Sequence, residues 1–132
     1  MYNSLVKKYR PSNLDDFNIS NFTKEIIDLY ISNNKLLFLI FGNVSNGKTS
    51  LINVILDKYY KENNKKNNII YINLLKEQGI NYYRNEMKSF CQSKCSINGK
   101  KKLIIVDDID LINEQCQQVF RNHIDKYKSN IH

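Results

Sequence analysis

Alanine and tryptophan are absent from the 132 residues, proline occurs once (Pro11), and glycine occurs four times. So little proline and glycine excludes collagen-like and low-complexity chains. Cysteine is scarce as well: Cys91, Cys95 and Cys116 are odd in number and lack the paired C-x-x-C or nearby histidine spacing of a zinc site. A disulfide framework is therefore not expected; buried or partly buried free thiols in an intracellular, reducing compartment are. Long hydrophobic runs are missing too. The longest, Leu36 to Phe41, has six residues, against about 20 for a membrane span, and no N-terminal apolar segment precedes a small-residue cleavage site. Membrane insertion and secretion are both disfavoured. Nor is there room for a second enzyme module, because single cores usually gather about 100 to 200 residues.

What is present is a foldable chain with 42% hydrophobic and 25% charged residues, enough apolar side chain to rule out intrinsic disorder. The net charge is +7. A balance of that sign is expected of proteins that meet nucleic acid or another polyanion. It also follows from composition, because Asn, Ile, Lys and Tyr fill 64 of 132 positions and Arg only three, the outcome of A/T-rich coding. Both readings stay open. The polar run Lys61 to Asn68 and the segment Ser93 to Lys102, which ends in three lysines, read first as solvated loops and second as phosphate contacts.

Apolar residues recur at Phe22, Ile26, Leu29 and Tyr30, one face of a helix with Ser20 or Asn21 as cap. Leu36 to Phe41, Ile69 to Ile72 and Leu103 to Val106 are uniformly apolar, the pattern of strands covered by helices on both faces of a parallel sheet. Between them lie two helical stripes, Leu51, Ile52, Ile55, Leu56 and Tyr59, then Tyr83, Met87, Phe90 and Cys91. A last helix spans about Asn113 to Tyr127 and carries Cys116, Phe120, His123, Ile124 and Tyr127 on one side. The order α-β-α-β-α-β-α predicts a three-layer α/β/α fold with three parallel strands.

Gly42-Asn43-Val44-Ser45-Asn46-Gly47-Lys48-Thr49 matches G-x-x-x-x-G-K-[ST], after an apolar run and at the head of an amphipathic helix. Gly42 and Gly47 permit backbone angles that turn successive N–H groups inward around a phosphate, and the helix N-terminus adds its positive dipole end. Lys48 reaches the β- and γ-phosphates, and Thr49, followed by Ser50 in the first turn, offers its hydroxyl to Mg²⁺. A magnesium ion bridging phosphates needs a further hard oxygen ligand. Asp107, directly after four apolar residues, is placed to supply it, and Asp108 to orient or deprotonate an attacking water. The competing reading is that Asp107, Asp108 and Asp110 cap the following helix.

With these residues in view, the chain resembles the small subunits of replication factor C, the AAA+ clamp loader. The opening Val6-Lys7-Lys8-Tyr9-Arg10-Pro11-Ser12-Asn13-Leu14-Asp15-Asp16-Phe17 is similar to the family's V-E-K-Y-R-P-x-x-L-D-D, a segment that lies by the adenine. Asn73, Gly79 to Asn85 and Lys88-Ser89-Phe90 are similar to L-N-A-S-D-x-R-G-I-x-x-V-R and I-K-x-F; Asp107 to Asp110 resembles the D-E-A-D box; Gln117 to Arg121 resembles Q-Q-A-L-R. The resemblance implies a P-loop NTPase fold of the RecA-like AAA+ kind, with residues 1–20 on the adenine side and 36–132 running from the phosphate loop to the helix after the acid box. It places Tyr9, Arg10 and Pro11 beside Gly42 to Ser50 in the nucleotide site. It implies ATP and Mg²⁺ as cofactors. The implied partners are other clamp-loader subunits, a sliding clamp and primer-template DNA, and the implied task is loading that clamp during DNA replication. It also places Arg121 on a helix facing DNA or a neighbouring subunit.

Departures set further expectations. Asp108 stands where the family has glutamate, and one methylene fewer withdraws the carboxylate by about 1.5 Å, where about 1 Å of misplacement costs on the order of a hundredfold in rate. Leu74 to Gln78 lacks the family's charged residues before the glycine. Sensor 1, the arginine finger, the helical lid and the collar are not in the sequence, so ATPase activity would require partner subunits. The family's sheet order, 5-1-4-3-2, leaves the first and third strands facing an empty slot unless they close up or another polypeptide fills it. The chain thus reads as the N-terminal part of an AAA+ domain: a fragment, a split gene product or a decayed relative. Two alternatives are a non-catalytic nucleotide-binding interaction protein and another AAA+ initiator or helicase loader.

Overall fold

The computed structural model describes residues 5–61, 65–73 and 80–132. Two compact units follow one another in the chain, Met1–Glu62 and Asn63–His132. The Leu74 to Gln78 turn lies outside the described residues.

The first unit is helical. A single turn, α1 (Leu5–Lys8), precedes a 3₁₀ turn at Leu14–Asp16, then α2 (Asn21–Ser32) and α3 (Lys48–Tyr60). Asp16 Oδ2 accepts from the backbone N–H groups of Ser12 at 2.8 Å and Asn13 at 2.9 Å, and these bonds hold its carboxyl below the usual carboxylate range. Ser20 caps α2 as expected, its hydroxyl accepting from Thr23 N–H at 3.1 Å. The buried residues of α2, however, are Ile27 and Ile31, while Phe22, Leu29 and Tyr30 are exposed. The apolar residues of α2 occupy more than one face, and only part of that set meets α3. From α3, Val54, Ile55, Leu56, Tyr59 and Tyr60 enter the core; Tyr59 donates its hydroxyl to the Asn34 side chain. Lys58 pairs with Asp28 at 2.6 Å, tying α3 to α2, though an ion pair this exposed contributes at most about 1 kcal/mol.

Leu36 to Phe41 forms no strand, which corrects the expected three-stranded sheet to two strands among the described residues. The run alternates in exposure: Leu36 is buried and Phe38 sets its ring edge-on against Tyr30 of α2 at 5.5 Å, while Leu37, Leu39 and Phe41 are 81, 75 and 89% exposed. A strand needs a ladder partner, and the sheet order implied by the resemblance gives this one neither of its neighbours among strands two and three.

The second unit is a βαβ arrangement. Strands β1 (Ile69–Asn73) and β2 (Leu103–Asp107) pair in parallel, Ile69 beside Leu103 and Asn73 beside Asp107. The crossover contains α4 (Ile80–Gln92), and α5 (Glu114–Tyr127) follows β2 and packs against α4. Ile72, Met87, Cys91, Cys116, Phe120 and Ile131 form the core, with Ile104, Val106 and Tyr127 against it. Residues 70, 72, 104 and 106 share one sheet face by register and alternation. On the other face Tyr71 is half exposed, so this unit has two layers and its strands are not covered equally on both sides. Asn68, fully buried, fixes the loop before β2: it donates to Ser96 Oγ at 2.7 Å and accepts from Ser96 N–H at 2.9 Å.

The far edge of β2 is not empty. Lys102 bridges Ile131 in parallel, and Ile104 N–H donates to His132 C=O at 2.9 Å. The expectation of a bare slot beside the acid-box strand is therefore corrected over its first residues. The segment 130–132 starts a ladder there.

Candidate functional site

The phosphate-loop sequence folds in the first unit as its residue types require. Gly47 caps α3 in the left-handed region at φ +81°, Ser45 is left-handed at φ +67°, and Asn46 N–H donates to Asn43 C=O at 3.4 Å. A Cβ at Gly47 would be strained by that backbone angle. Lys48, the first residue of α3, turns its side chain back across the loop, and Nζ donates to Gly42 C=O at 2.8 Å and Asn43 C=O at 2.9 Å. An ammonium has three N–H donors. Two are used, and they hold the charge against the first two carbonyls of the loop. No acidic residue stands in the first turn of α3, so its exposed N–H groups and dipole end are not neutralised. Thr49 and Ser50 follow in that turn; Asn43, Val44 and Asn46 are exposed.

Of the opening segment, Phe17 stands against the loop. A Cβ on Gly47 would lie 3.8 Å from Phe17 Cε1. Tyr9 and Arg10 are exposed and Pro11 is half-buried, with Lys8 Nζ 5.5 Å from the Tyr9 ring centre. Sequence reasoning missed Phe17 as a site residue. Its signal was present, as the one aromatic side chain after Leu14-Asp15-Asp16 in the adenine-side segment.

The acid box lies in the second unit. Asp107 ends β2 and is exposed; its Oδ1 accepts from Asp108 N–H at 3.2 Å. Asp108 is left-handed at φ +53° and opens a 3₁₀ turn, Ile109–Leu111, a conformation that aspartate tolerates better than most residues. The helix beyond is capped by Asn113, whose Oδ1 accepts from Cys116 N–H at 2.8 Å. The three acids therefore do not cap α5; Asp108 stands at the N-cap and Asp110 in the first turn of the 3₁₀ turn Ile109–Leu111. No group of three or more metal-ligating side chains occurs among the described residues, and Cys91 and Cys116 are buried free thiols. Cys91 is pushed up to about 11 by burial, partly opposed by the Lys102 ammonium.

A second feature of this unit escaped the sequence. A groove between α4 and α5 is lined by Arg84, Lys88, Gln118, Asn122, His123 and Lys126 and contains no acid among its lining residues. The i, i+4 spacing of Arg84 and Lys88 was the available signal. Arg121 is exposed, and His123 stacks on Tyr127 at 6.2 Å, a packed rim residue as its helical position implied.

The chain is 36% identical over 125 residues to a probable replication factor C subunit 5 of Dictyostelium discoideum. It is also 31% identical over 127 residues to replication factor C subunit 3 of Schizosaccharomyces pombe, and 32% over 125 residues to replication factor C subunit 5 of Arabidopsis thaliana. These matches cover 92 to 96% of the chain. By sequence the chain is a homologue of replication factor C subunits 3 and 5 over most of its own length. It spans 34 to 37% of the length of these curated relatives. No protein-family model matches it. Among the described residues no helix is long and apolar enough to cross a membrane.

Proposed function

We propose that the chain is the nucleotide-binding N-terminal portion of an AAA+ clamp-loader subunit, taking up Mg·ATP at residues 42–50, with Asp107 as a carboxylate for the magnesium. The observation that carries this reading is Lys48. Its ammonium is held by Gly42 and Asn43 carbonyls and keeps one N–H for a phosphate oxygen. The residues fit a triphosphate: a loop with left-handed Ser45 and Gly47, a helix start without acids, and a lysine already aimed across the loop. Thr49 and Asp107 are the hard oxygen donors that would hold magnesium, which supplies charge neutralisation of the phosphates. Phe17, which stands against Gly47, is the wall for the base, and the family resemblance assigns Tyr9, Arg10 and Pro11 to the same side. Asp108 orients water for hydrolysis, which needs an arginine supplied by another subunit.

The wider role is clamp loading in DNA replication, with other clamp-loader subunits, a sliding clamp and primer-template DNA as partners. Two facts support a nucleic-acid partner: the net charge of +7 and the acid-free cationic groove of Arg84, Lys88 and Lys126. Filter binding of primed DNA across a salt series, with ATP and partner subunits present, tests this. Affinity should fall steeply as salt rises, by counterion release. Retention no better than a blank protein at every salt would overturn it.

A further inference from the structure

The groove between α4 and α5 holds one side chain whose charge changes near neutral pH. Arg84 and Lys88 line it from α4 and Lys126 from α5, and His123, half-buried and one turn before Lys126, lines it with them. An imidazole titrates at about pH 6.5 when nothing perturbs it. The ring of His123 is held in place: it stacks on Tyr127 at 6.2 Å with the planes 24° apart, and the Tyr127 hydroxyl accepts from Gln92 Nε2 of α4 at 3.2 Å. The charges around it have one sign. Arg84 and Lys88 meet it from α4, Lys126 and the Tyr127 phenol from α5. Asp125, the acid nearest in sequence, lines a different hollow with Val106 and Ile124, and Glu86 of α4 is not among the groove's residues. With three fixed cations and no acid in the groove, a proton on His123 is disfavoured in the free chain. A phosphate backbone laid there reverses the balance.

We propose that His123 is the titrating member of this groove, taking up a proton as nucleic acid binds and adding a fourth phosphate contact to those of Arg84, Lys88 and Lys126. The proposal rests on the groove as a nucleic-acid site and adds a pH dependence to it. The bound chain then holds more protons than the free one, so affinity rises as pH falls and levels off once the free imidazole is itself charged. Guanidinium and ammonium groups keep their charge across this range, and His132, the other histidine, is not among the groove's residues.

Fluorescence anisotropy of labelled primer-template DNA, titrated with the 132-residue chain from pH 5.5 to 8 over a salt series, tests the proposal beside His123→Gln, neutral throughout, and His123→Arg, charged throughout. The parent should bind about threefold to tenfold more tightly at pH 5.5 than at pH 8 once the change shown by His123→Gln is subtracted, which also removes the titration of His132 and the amino terminus. Its salt slope should steepen by about 0.9 over the same range, the signature of one added phosphate contact. His123→Arg should hold the steeper slope at every pH. Circular dichroism checks each variant's fold; should His123→Gln not fold, His123→Arg decides alone, and a pH dependence equal to the parent's overturns the proposal. Parallel profiles of parent and His123→Gln overturn this proposal and leave the groove standing. No binding at any pH, or binding that replacing both Arg84 and Lys88 by glutamine leaves unchanged, overturns the groove as a nucleic-acid site and this proposal with it.

Discussion

Ser45→Gly should stabilise this protein, although it removes a side chain from the loop. Ser45 is a non-glycine residue at φ +67°, where the Cβ of an L-residue costs about 1 to 2 kcal/mol. Glycine removes that cost but gives the unfolded chain more freedom, worth about 0.4 to 1 kcal/mol in the opposite direction. The difference is a net stabilisation of about 0.5 to 1 kcal/mol. With a urea slope of about 1 to 3 kcal/mol/M, the midpoint should rise by a few tenths of a molar. Ser45→Val is the paired control, because a β-branched residue tolerates the left-handed region worst, and it should destabilise by about 1 kcal/mol or more. Mg·ATP affinity should hold or improve for the glycine and fall for the valine, since the loop N–H directions follow the backbone. A glycine variant that unfolds earlier, beside a valine variant that behaves as the parent, would refute the left-handed geometry and the reasoning built on it.

Other outcomes follow from the same structure. Asn68→Ala removes both side-chain bonds to Ser96 at a fully buried position and should lower stability by about 2 to 3 kcal/mol in urea titration. A loss under about 0.5 kcal/mol would show that the loop does not depend on it. Cys91 resists ionisation up to about 11 against an ordinary 9.0. Between those pH values the unfolded thiol releases its proton and the folded one keeps it, so this group's contribution to stability falls as pH rises through that window. Lys102, its pKa lowered by burial, acts in the opposite sense, so the readout is the difference between parent and Cys91→Ala. The parent should lose more stability between pH 9 and 11. Asp108→Glu restores the reach of the family's carboxylate at the cost of a residue less suited to φ +53°. It should raise phosphate release in the presence of partner subunits while lowering the melting midpoint slightly; unchanged turnover would detach Asp108 from the water.

The sequence made the local chemistry legible wherever one segment decides it. Ser20 and Asn113 cap the helices foreseen for them, α4 and α5 bury Met87, Cys91, Cys116 and Phe120, and the loop from Gly42 to Thr49 folds around its lysine. What failed depended on partners that are distant in the chain. Leu36 to Phe41 has the composition of a central strand, yet composition cannot supply a neighbour, and without one the run forms no strand. The ladder between Lys102 and Ile131 was invisible because three residues carry no periodicity. Phe17 and the Arg84, Lys88 and Lys126 groove were missed for the same reason, since each is defined by what another element brings to it.

The most direct test of the account is calorimetric titration of the folded chain with Mg·ATP, beside Lys48→Ala. Lys48 reaches over the loop to Gly42 and Asn43 without entering the buried core, so the variant should keep the parent's circular dichroism. The account predicts saturable heat for the parent and at least a tenfold weaker affinity for the variant, the loss expected of one charge-assisted bond of about 1.5 to 3 kcal/mol. No heat from the parent, or equal affinity in the two, would contradict it.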